Sequence, residues 1–423
     1  MLIGSAFSFL PHGPFVASWL LYIGLTLLLA GLCGEWSCRV WKIPRITGYT
    51  LVGLLTGTLG LYHLSPDVLR QSRLLVDIAL GLLLFELGSR FSMRWLRRNP
   101  WIVVASLCES GLTFIIVFGT LILLDVANST AVIIAAVMMA TSPAVVMQLR
   151  NDLQSEGQVT ERMLTLSALN TVYAVVVVKL ALAWSHQGAY GNVLASLLKP
   201  LYLLAGSVLL AFLLAKFCTE LYKRLPIHRE QGFAVLFGML LVVIALTHLL
   251  KLSTILTLLL AGVLFKNWSP RPPLGAFHFG TAGRMLTVIL FVFTASVLRW
   301  DDVVLGGAVG IAAVIARLVA KPLGTVLTAR RSGLDRRKGI SLGLTLSPMS
   351  ALAFVLVDDT YVQYPQFDVR LHAIVMCSIV LMQLVSPWLV YRALASANES
   401  QLRTGPVSRL RKSMPSTVPE DVH

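Results

Sequence analysis

Residues 140–146 read Ala-Thr-Ser-Pro-Ala-Val-Val, and residues 345–351 read Thr-Leu-Ser-Pro-Met-Ser-Ala. Each Ser-Pro pair lies near the middle of an apolar segment that is long enough to span a bilayer. A proline inside a helix removes a backbone donor and clashes with the carbonyl four residues earlier, so both segments are predicted to break. In hydrocarbon, the freed backbone groups need partners from protein, ion or water. Two interrupted segments at corresponding places in two halves of a chain indicate a transporter-type binding site.

The composition around these breaks is that of a membrane protein. Of 423 residues, 56% are hydrophobic and 13% are charged, and the mean hydropathy is +0.78. These values predict an all-α polytopic membrane protein with little mass outside the bilayer. The net charge of +15 indicates basic loops beside anionic lipid and no nucleic-acid partner. The five cysteines lack disulfide or zinc spacing, and no nucleophile–base pair or metal-ligand cluster lies in the apolar segments. We therefore expect no enzyme activity, no cofactor and no resident metal.

Thirteen apolar segments are predicted to cross the membrane. They cover approximately residues 15–34, 46–62, 73–89, 101–124, 129–149, 163–184, 198–217, 232–250, 252–265, 284–298, 303–321, 339–357 and 371–393. With the N-terminus outside, the inner loops and tail carry 27 of the 35 Lys and Arg residues and the outer loops carry 6. This bias satisfies the positive-inside rule. It predicts a multi-pass protein of a bacterial-type inner or plasma membrane with a cytoplasmic C-terminus.

Breaks in the fifth and the twelfth of thirteen segments predict an inverted repeat. We predict a transmembrane domain over residues 1–394, with repeat one at 15–185, a connector helix at 198–217 and repeat two at 232–394. Residues 395–423 are predicted to form a short, basic, disordered cytoplasmic tail.

Ionisable side chains within apolar segments are costly, roughly 2.5–3.5 kcal/mol each on insertion scales, and usually face a cavity or a partner. Glu86 and Arg317 are the main candidates, although either could instead extend its charged end towards a membrane surface. Glu109 is interpreted as a structural partner or an edge residue, and Lys321 is counted with the inner loop that follows it. The role of Lys179 is left open.

Polar residues share one face of the sixth segment. Ser167, Asn170 and Thr171 lie at positions i, i+3 and i+4 of a helix, so their side chains point the same way. Such residues often only hydrogen-bond a neighbouring membrane helix. Beside a broken fifth segment, however, their oxygens and that of Thr141 would suit a small monovalent cation.

Together, these motifs resemble the cation:proton antiporter superfamily, the sodium/proton exchangers, to about residue 394. Residues 44–90 resemble its opening helices, with G-Y-x-x-x-G-x-x-x-G followed by L-L-L-F-E-x-G. Residues 141–143 resemble the T-D-P of its unwound helix, residues 167–171 its E-S-x-x-N-D motif, and residues 347–351 its second broken helix. The resemblance implies the sodium/proton antiporter fold and a homodimer in a lipid bilayer.

The resemblance also implies a transport site. The predicted site consists of Glu86, Thr141, Ser142, Ser167, Asn170, Thr171, Arg317 and Ser347, with the helix breaks at Pro143 and Pro348. Within it, Glu86 is expected to pair with Asn170. Arg317 falls where the exchangers carry an arginine in the helix before the second break.

Three acidic residues of the exchanger motifs are neutral in this chain. Thr171 stands in place of the ion-binding aspartate, Leu166 in place of the leading glutamate, and Ser142 in place of the aspartate of T-D-P. Two functions therefore stay open. The first is antiport of a monovalent cation, sodium or potassium, against protons by alternating access, with Glu86 as the titratable group. The second is a relative that keeps the fold without proton exchange. Such a relative would carry another solute, for example an anion or a zwitterion, or act as a regulatory or assembly protein.

Overall fold

The computed structural model describes residues 19–41, 43–59, 66–185, 193–224, 229–268, 280–297, 300–349, 351–363 and 369–400. Within these residues, all regular secondary structure is helical. The predicted all-α class is confirmed.

Sixteen helices form in the described part of the chain. In order, they are α1 (Trp19–Val40), α2 (Arg45–Leu59), α3 (Pro66–Arg90), α4 (Met93–Arg98), α5 (Pro100–Leu123), α6 (Asn128–Met139), α7 (Pro143–Leu153), α8 (Gln158–Ser185), α9 (Val193–Arg224), α10 (Arg229–Leu249), α11 (Thr254–Trp268), α12 (Gly280–Ser296), α13 (Trp300–Ala329), α14 (Arg336–Thr345), α15 (Ala351–Gln363) and α16 (Val369–Ser396). Each predicted apolar segment overlaps one helix, or a pair of helices separated by a predicted break. Seven helical segments are long and apolar enough to cross a membrane. The number of thirteen crossings stays a prediction.

The break between α6 and α7 follows from Pro143. A residue before proline is disfavoured in the helical region, and Ser142 is extended, with φ −68° and ψ 109°. Ala140 is also extended, with φ −60° and ψ 140°. Pro143 then occupies the first turn of α7, where a missing N–H does no harm, and the Ser142 side chain accepts a hydrogen bond from the Val145 N–H. The second break separates α14 from α15 around Pro348.

The helices pack into two bundles. Helices α1–α3 and α9–α12 pack mainly with one another and form what we call the panel bundle, and α5–α8 and α13–α16 form the core bundle. Within the core, Gly324 of α13 lies so close to α5 that an added Cβ would be 2.4 Å from the Glu109 Cα atom. Each bundle takes helices from both predicted repeats. The division of the chain into those repeats stays a prediction.

The fold continues past the predicted start of the tail at residue 395. Helix α16 ends at Ser396, and the buried Glu399 lies at the start of α8. Its carboxylate accepts hydrogen bonds from the Val159 N–H at 2.9 Å and the Thr160 N–H at 2.8 Å. A carboxylate there meets otherwise unpaired N–H groups and the positive end of the helix dipole. Residues 395–400 therefore belong to the helical domain, and residues 401–423 of the predicted tail lie outside the described residues.

Candidate ion-binding site

The two helix breaks are in direct contact. The Ser142 N–H donates to the Pro348 carbonyl at 2.9 Å, and the Thr141 hydroxyl donates to the Leu346 carbonyl at 3.0 Å. Each break therefore supplies partners for backbone groups that the other break has freed. This contact between Ser142 and Pro348 brings together the two breaks that the paired Ser-Pro motifs predict.

Arg317 of α13 joins the two breaks and is fully buried. On the first break, its guanidinium donates to the carbonyls of Met138 and of Ala140 at 2.8 Å. On the second break, it donates to three consecutive carbonyls. These belong to Leu346 at 3.3 Å, Ser347 at 3.2 Å and Pro348 at 3.3 Å. The last carbonyls of a helix have no partner within it and carry partial negative charge. The alternative that Arg317 extends to the membrane surface is therefore wrong, because its charge lies inside the core bundle.

One helical turn further along α13, Lys321 forms an ion pair with Glu109 of α5. Both side chains have no exposed surface. The Lys321 ammonium also donates to the Met139 carbonyl and to the Thr141 hydroxyl, each at 3.3 Å. Removal of one partner of such a buried ion pair leaves the other charge uncompensated, which strongly destabilises the folded state.

Asn170 of α8 completes this arrangement. Its amide nitrogen donates to Glu109 Oε2 at 2.8 Å and to Thr141 Oγ1 at 3.3 Å. Its amide oxygen accepts hydrogen bonds from Ser106 at 3.1 Å and Ser110 at 2.9 Å. All of these side chains are buried. We use the name buried cluster for Ser106, Glu109, Ser110, Thr141, Asn170 and Lys321.

Other residues of the predicted site lie near the cluster in sequence, but their hydrogen bonds are local. The Thr171 hydroxyl donates to the Ser167 carbonyl, and the Ser167 hydroxyl donates to the Leu164 carbonyl, both at 2.8 Å within α8. Both side chains are buried. The Ser347 hydroxyl at the second break is buried and has no hydrogen-bond partner among the described residues.

The structure does not contain the predicted pairing of Glu86 with Asn170. The Glu86 carboxylate accepts from Arg90 at 2.8 Å, one turn along α3 in the panel bundle. The Asn170 amide is instead bonded within the buried cluster. The physical reason is the i, i+4 spacing of Glu86 and Arg90, which supplies a partner on the same helix face.

The site predicted from the sequence contains neither Glu109 nor Lys321, which form the buried ion pair. The sequence alone indicates a structural partner or an edge residue at Glu109, and it places Lys321 in an inner loop because the eleventh apolar segment ends at residue 321. Helix α13 continues to Ala329, so Lys321 lies inside it. Lys321 lies four residues after Arg317, and this spacing places both cations on one helix face. The spacing is the sequence feature that indicates a role for Lys321 in the site.

A buried charged cluster beside two crossed, interrupted helices is the architecture by which secondary transporters form their binding sites. The model of the transmembrane sodium/hydrogen exchanger family matches residues 24–386. The chain belongs to this family, which is a family of transporters.

Relatives with curated names are found among bacterial antiporters. The chain is 27% identical over 253 residues to a protein of Enterococcus hirae named Na(+)/H(+) antiporter, a match that covers 57% of this chain and 64% of that protein. It is 23% identical over 343 residues to the ammonium/H(+) antiporter subunit AmhT of Alkalihalophilus pseudofirmus, which covers 79% of this chain and 84% of the relative.

Solved structures confirm the predicted fold. The sodium proton antiporter MjNhaP1 from Methanocaldococcus jannaschii at pH 8 has a TM-score of 0.65, covering 90% of this chain and 95% of that one. An electron-microscopy structure of the same protein has a TM-score of 0.69, covering 92% and 98%. The sequence identity is 16% in both comparisons. The chain therefore has the sodium/proton antiporter fold.

Proposed function

We propose that this chain is a secondary transporter that exchanges a monovalent cation for protons, and that both compete for the Glu109 carboxylate. The observation that carries the proposal is the fully buried ion pair of Glu109 and Lys321. Ionisable groups buried in membrane segments are usually functional, because their burial is costly. Membership of the sodium/hydrogen exchanger family and the similarity to a bacterial antiporter and to a bacterial antiporter subunit support the same activity.

The contacts of Glu109 explain how competition would work. One carboxylate oxygen is bound by the Lys321 ammonium, and the other is bound by the Asn170 amide. An incoming cation or proton must therefore displace Lys321 while Asn170 holds the carboxylate in place. Thr141 Oγ1 and the Met139 carbonyl, which also bind Lys321, would then become available to the incoming cation.

Glu109 takes over the part that the sequence assigns to Glu86. The family motif places the titrating aspartate on α8, where this chain has Thr171 and Asn170. In this chain, Asn170 instead positions an acid that α5 supplies. Loss of the acids at Thr171, Leu166 and Ser142 is thus compatible with proton coupling.

Alternating access is part of the proposal. The buried cluster belongs entirely to the core bundle, so movement of this bundle against the panel bundle would expose it to either side in turn. The orientation with the N-terminus outside, which rests on the loop charges, and the homodimer are also part of the proposal.

Transport in proteoliposomes with an interior pH dye tests the activity. Pulses of sodium, potassium and lithium should each be given from about pH 6 to about pH 9, so that the response is measured on both sides of neutral pH. We expect a cation-driven pH change with the wild type and none with Glu109→Gln. Glu86→Gln is the matched control, since it removes a carboxylate that lies outside the buried cluster, and it should retain the response.

Two outcomes would contradict the proposal in different ways. A flat wild-type response to all cations rejects cation:proton antiport and favours a fold-retaining relative that carries another solute. A response that survives in Glu109→Gln but disappears in Glu86→Gln keeps antiport and returns the proton-carrying role to Glu86.

A further inference from the structure

A short basic helix on the protein surface joins the two bundles. Helix α4 lies between α3 of the panel bundle and α5 of the core bundle, and none of its residues is buried. Helices shorter than about 12–15 residues are marginally stable on their own in water. Hydrogen bonds to Asn267 of α11 hold the start of α4, because the Met93 N–H donates to Asn267 Oδ1 at 2.9 Å and Asn267 Nδ2 donates to the Phe91 carbonyl at 3.0 Å. The position of α4 is therefore fixed, although its side chains are not covered by the protein.

Five exposed arginines lie near the start of α5. They belong to α4 and to the turn after α13, and they are Arg94, Arg97, Arg98, Arg330 and Arg331. We call these five residues the basic patch.

Arg331 is held in place within the basic patch. Its guanidinium carbon lies 5.4 Å from the centre of the Trp101 ring in the first turn of α5, within the range of about 6 Å at which a cation is attracted to an aromatic face. The next residue, Ser332, is anchored by Arg162 of α8, whose Nη2 donates to the Ser332 carbonyl at 2.6 Å. These contacts place the turn after α13 beside the residues that follow α4.

The basic patch has no neutralising acids of its own. Residues 91–101 and 329–334 contain no Asp or Glu, and the nearest acid along the chain is Asp335. None of the five arginines forms an ion pair with another described residue, whereas the exposed Arg39 pairs with Glu35 one turn away. A positive surface without internal partners is complementary to an anionic ligand.

Apolar side chains are exposed next to these charges. Met93 is 39% exposed, Trp95 37% and Trp101 40%. Tryptophan side chains suit the headgroup region of a membrane, where one end of the ring is in an apolar and the other in a wet environment. An arginine guanidinium binds phosphate through two parallel N–H···O bonds. The combination of exposed tryptophan, exposed methionine and unpaired arginine fits a molecule that has both a phosphate and acyl chains.

We propose that the basic patch binds the headgroup of an anionic phospholipid, such as phosphatidylglycerol. The phosphate lies between Arg331, which stacks on Trp101, and the arginines of α4. The acyl chains pack against Met93, Trp95 and Trp101. The bound lipid thereby covers the exposed segment that links the panel bundle to the core bundle. This assignment does not depend on the proposed antiport, and lipid binding is measured without transport.

Melting of the delipidated protein in detergent micelles tests the binding. Phosphatidylglycerol is added in one series, phosphatidylcholine in a second, and glycerol phosphate, which has the charge without acyl chains, in a third. A ligand that binds only the folded state stabilises it by RT ln(1 + [L]/Kd), so we expect phosphatidylglycerol alone to raise the melting temperature. The triple variant Arg94→Gln, Arg97→Gln and Arg98→Gln should need at least about tenfold more phosphatidylglycerol for half of the shift, because each basic residue near an anionic headgroup adds to binding.

The matched control is the triple variant Lys216→Gln, Lys223→Gln and Arg224→Gln. It removes the same number of exposed positive charges from the end of α9, which the predicted topology places on the same side of the membrane, and it should respond as the wild type does. An equal loss of response in both triple variants would show a general attraction of charged surfaces and overturn the proposal. An equal shift with glycerol phosphate would also overturn it, because the patch would then bind a free phosphate ester.

A measurement on the wild type keeps the proposal testable if the α4 variant is unstable. Native mass spectrometry of protein released from micelles with equal amounts of the two lipids counts the lipids that stay bound. The wild type should retain phosphatidylglycerol in preference to phosphatidylcholine, and high salt during equilibration should weaken this preference through screening. Equal retention of the two lipids would overturn the proposal, whatever the outcome of the transport experiments.

Discussion

Two buried cations on α13 have different partners. Arg317 binds only backbone carbonyls, and these belong to both helix breaks. Lys321 binds a carboxylate, a hydroxyl and one carbonyl. The planar guanidinium of arginine presents five donors in a fixed arrangement, whereas a lysine ammonium is a compact charge with three. We therefore assign Arg317 to the architecture of the crossing and Lys321 to its chemistry.

Truncation of Arg317 should destabilise the folded protein, because this side chain binds carbonyls of both helix breaks. Arg317→Ala leaves several buried carbonyls without a donor, at about 1–3 kcal/mol each, so we expect a loss of about 3 kcal/mol or more. Arg317→Lys should be intermediate, because one ammonium cannot reach both breaks. The melting temperature in detergent measures both. Arg224→Ala, at an exposed position on α9, is the control and should change little. Equal stability of Arg317→Ala and wild type would show that the carbonyls find other partners.

At the residue scale, the sequence predicted the breaks and Arg317 but not the ion pair. Pro143 and Pro348 act through the covalent chain, so their effect is local and visible in sequence. The partner of Glu109 is 212 residues away, and only the packing of α5 on α13 brings it close. The predicted pairing of Glu86 with Asn170 was wrong for the opposite reason. Its real partner, Arg90, was four residues away, whereas the family resemblance directed attention to Asn170.

At the scale of elements, helices α5 and α13 approach closely where the ion pair forms. Gly324 permits this approach, because a Cβ there would lie 2.4 Å from the Glu109 Cα atom. A side chain at this position must push α5 away or rotate it. Either movement changes the distance between the Glu109 carboxylate and Lys321.

Gly324→Ala should therefore reduce transport by at least about tenfold, since small misplacements of reacting groups are costly, and should lower the melting temperature. Gly111→Ala on α5 is the matched control, because nothing lies within 4 Å of an added Cβ there. In a helix interior, alanine is favoured over glycine by roughly 0.5–1 kcal/mol, so the control should be slightly stabilised. Both are measured by proteoliposome transport and thermal melting. Unchanged transport in Gly324→Ala would show that the close approach is not needed.

The start of α8 depends on a residue that the sequence assigned to a disordered tail. The Glu399 carboxylate binds the Val159 N–H, the Thr160 N–H and the Thr160 hydroxyl. Sequence reasoning missed this because a cap supplied from 239 residues away leaves no local signature. The polar composition of residues 395–423 predicts a solvated tail, but composition does not reveal that one of these residues, Glu399, binds the distant start of α8.

Glu399→Ala should loosen the first turn of α8. Loss of a capping side chain costs about 0.5–2 kcal/mol, so amide hydrogens at Val159 and Thr160 should exchange several-fold faster. Hydrogen exchange read by mass spectrometry measures this change. Glu156→Ala removes an exposed neighbouring carboxylate and should leave the exchange rates as they are. If Glu399→Ala also leaves them unchanged, water or another group replaces the cap.

At the scale of the whole molecule, the two bundles share an ionic contact at one end. Arg45 begins α2 of the panel bundle, and Asp152 lies near the end of α7 in the core bundle. Arg45 Nη1 lies 3.4 Å from Asp152 Oδ1, and the same arginine binds Glu35 of α1 at 3.0 Å. Helix α7 is the second half of the first broken helix, so this contact ties the panel bundle to the helix that follows the first break. The sequence predicted the helices of both bundles, but apolar periodicity alone does not assign a helix to a bundle.

If the core bundle moves against the panel during transport, the distance between Arg45 and Asp152 must change in every cycle. The test introduces two cysteines, Arg45→Cys and Asp152→Cys, and joins them with a short, cleavable bifunctional reagent. The cross-link should reduce the transport rate by at least about tenfold, because the conformational step becomes limiting. Cleavage of the reagent should restore it. The background must lack the native cysteines, which are Cys33, Cys38, Cys108, Cys218 and Cys377.

A pair within one bundle provides the matched control for this cross-link. Glu35 and Arg39 are four residues apart on α1 and form an ion pair at 2.6 Å. Cysteines at these two positions can be joined by the same reagent without linking the bundles, so transport should persist. A rigid-body movement predicts loss of transport only for the pair that links the bundles. If the linked Arg45→Cys and Asp152→Cys protein still transports at the control rate, the two bundles do not separate at this end. The exposure of Glu109 must then arise from movement within the core bundle, at the contact of the two helix breaks.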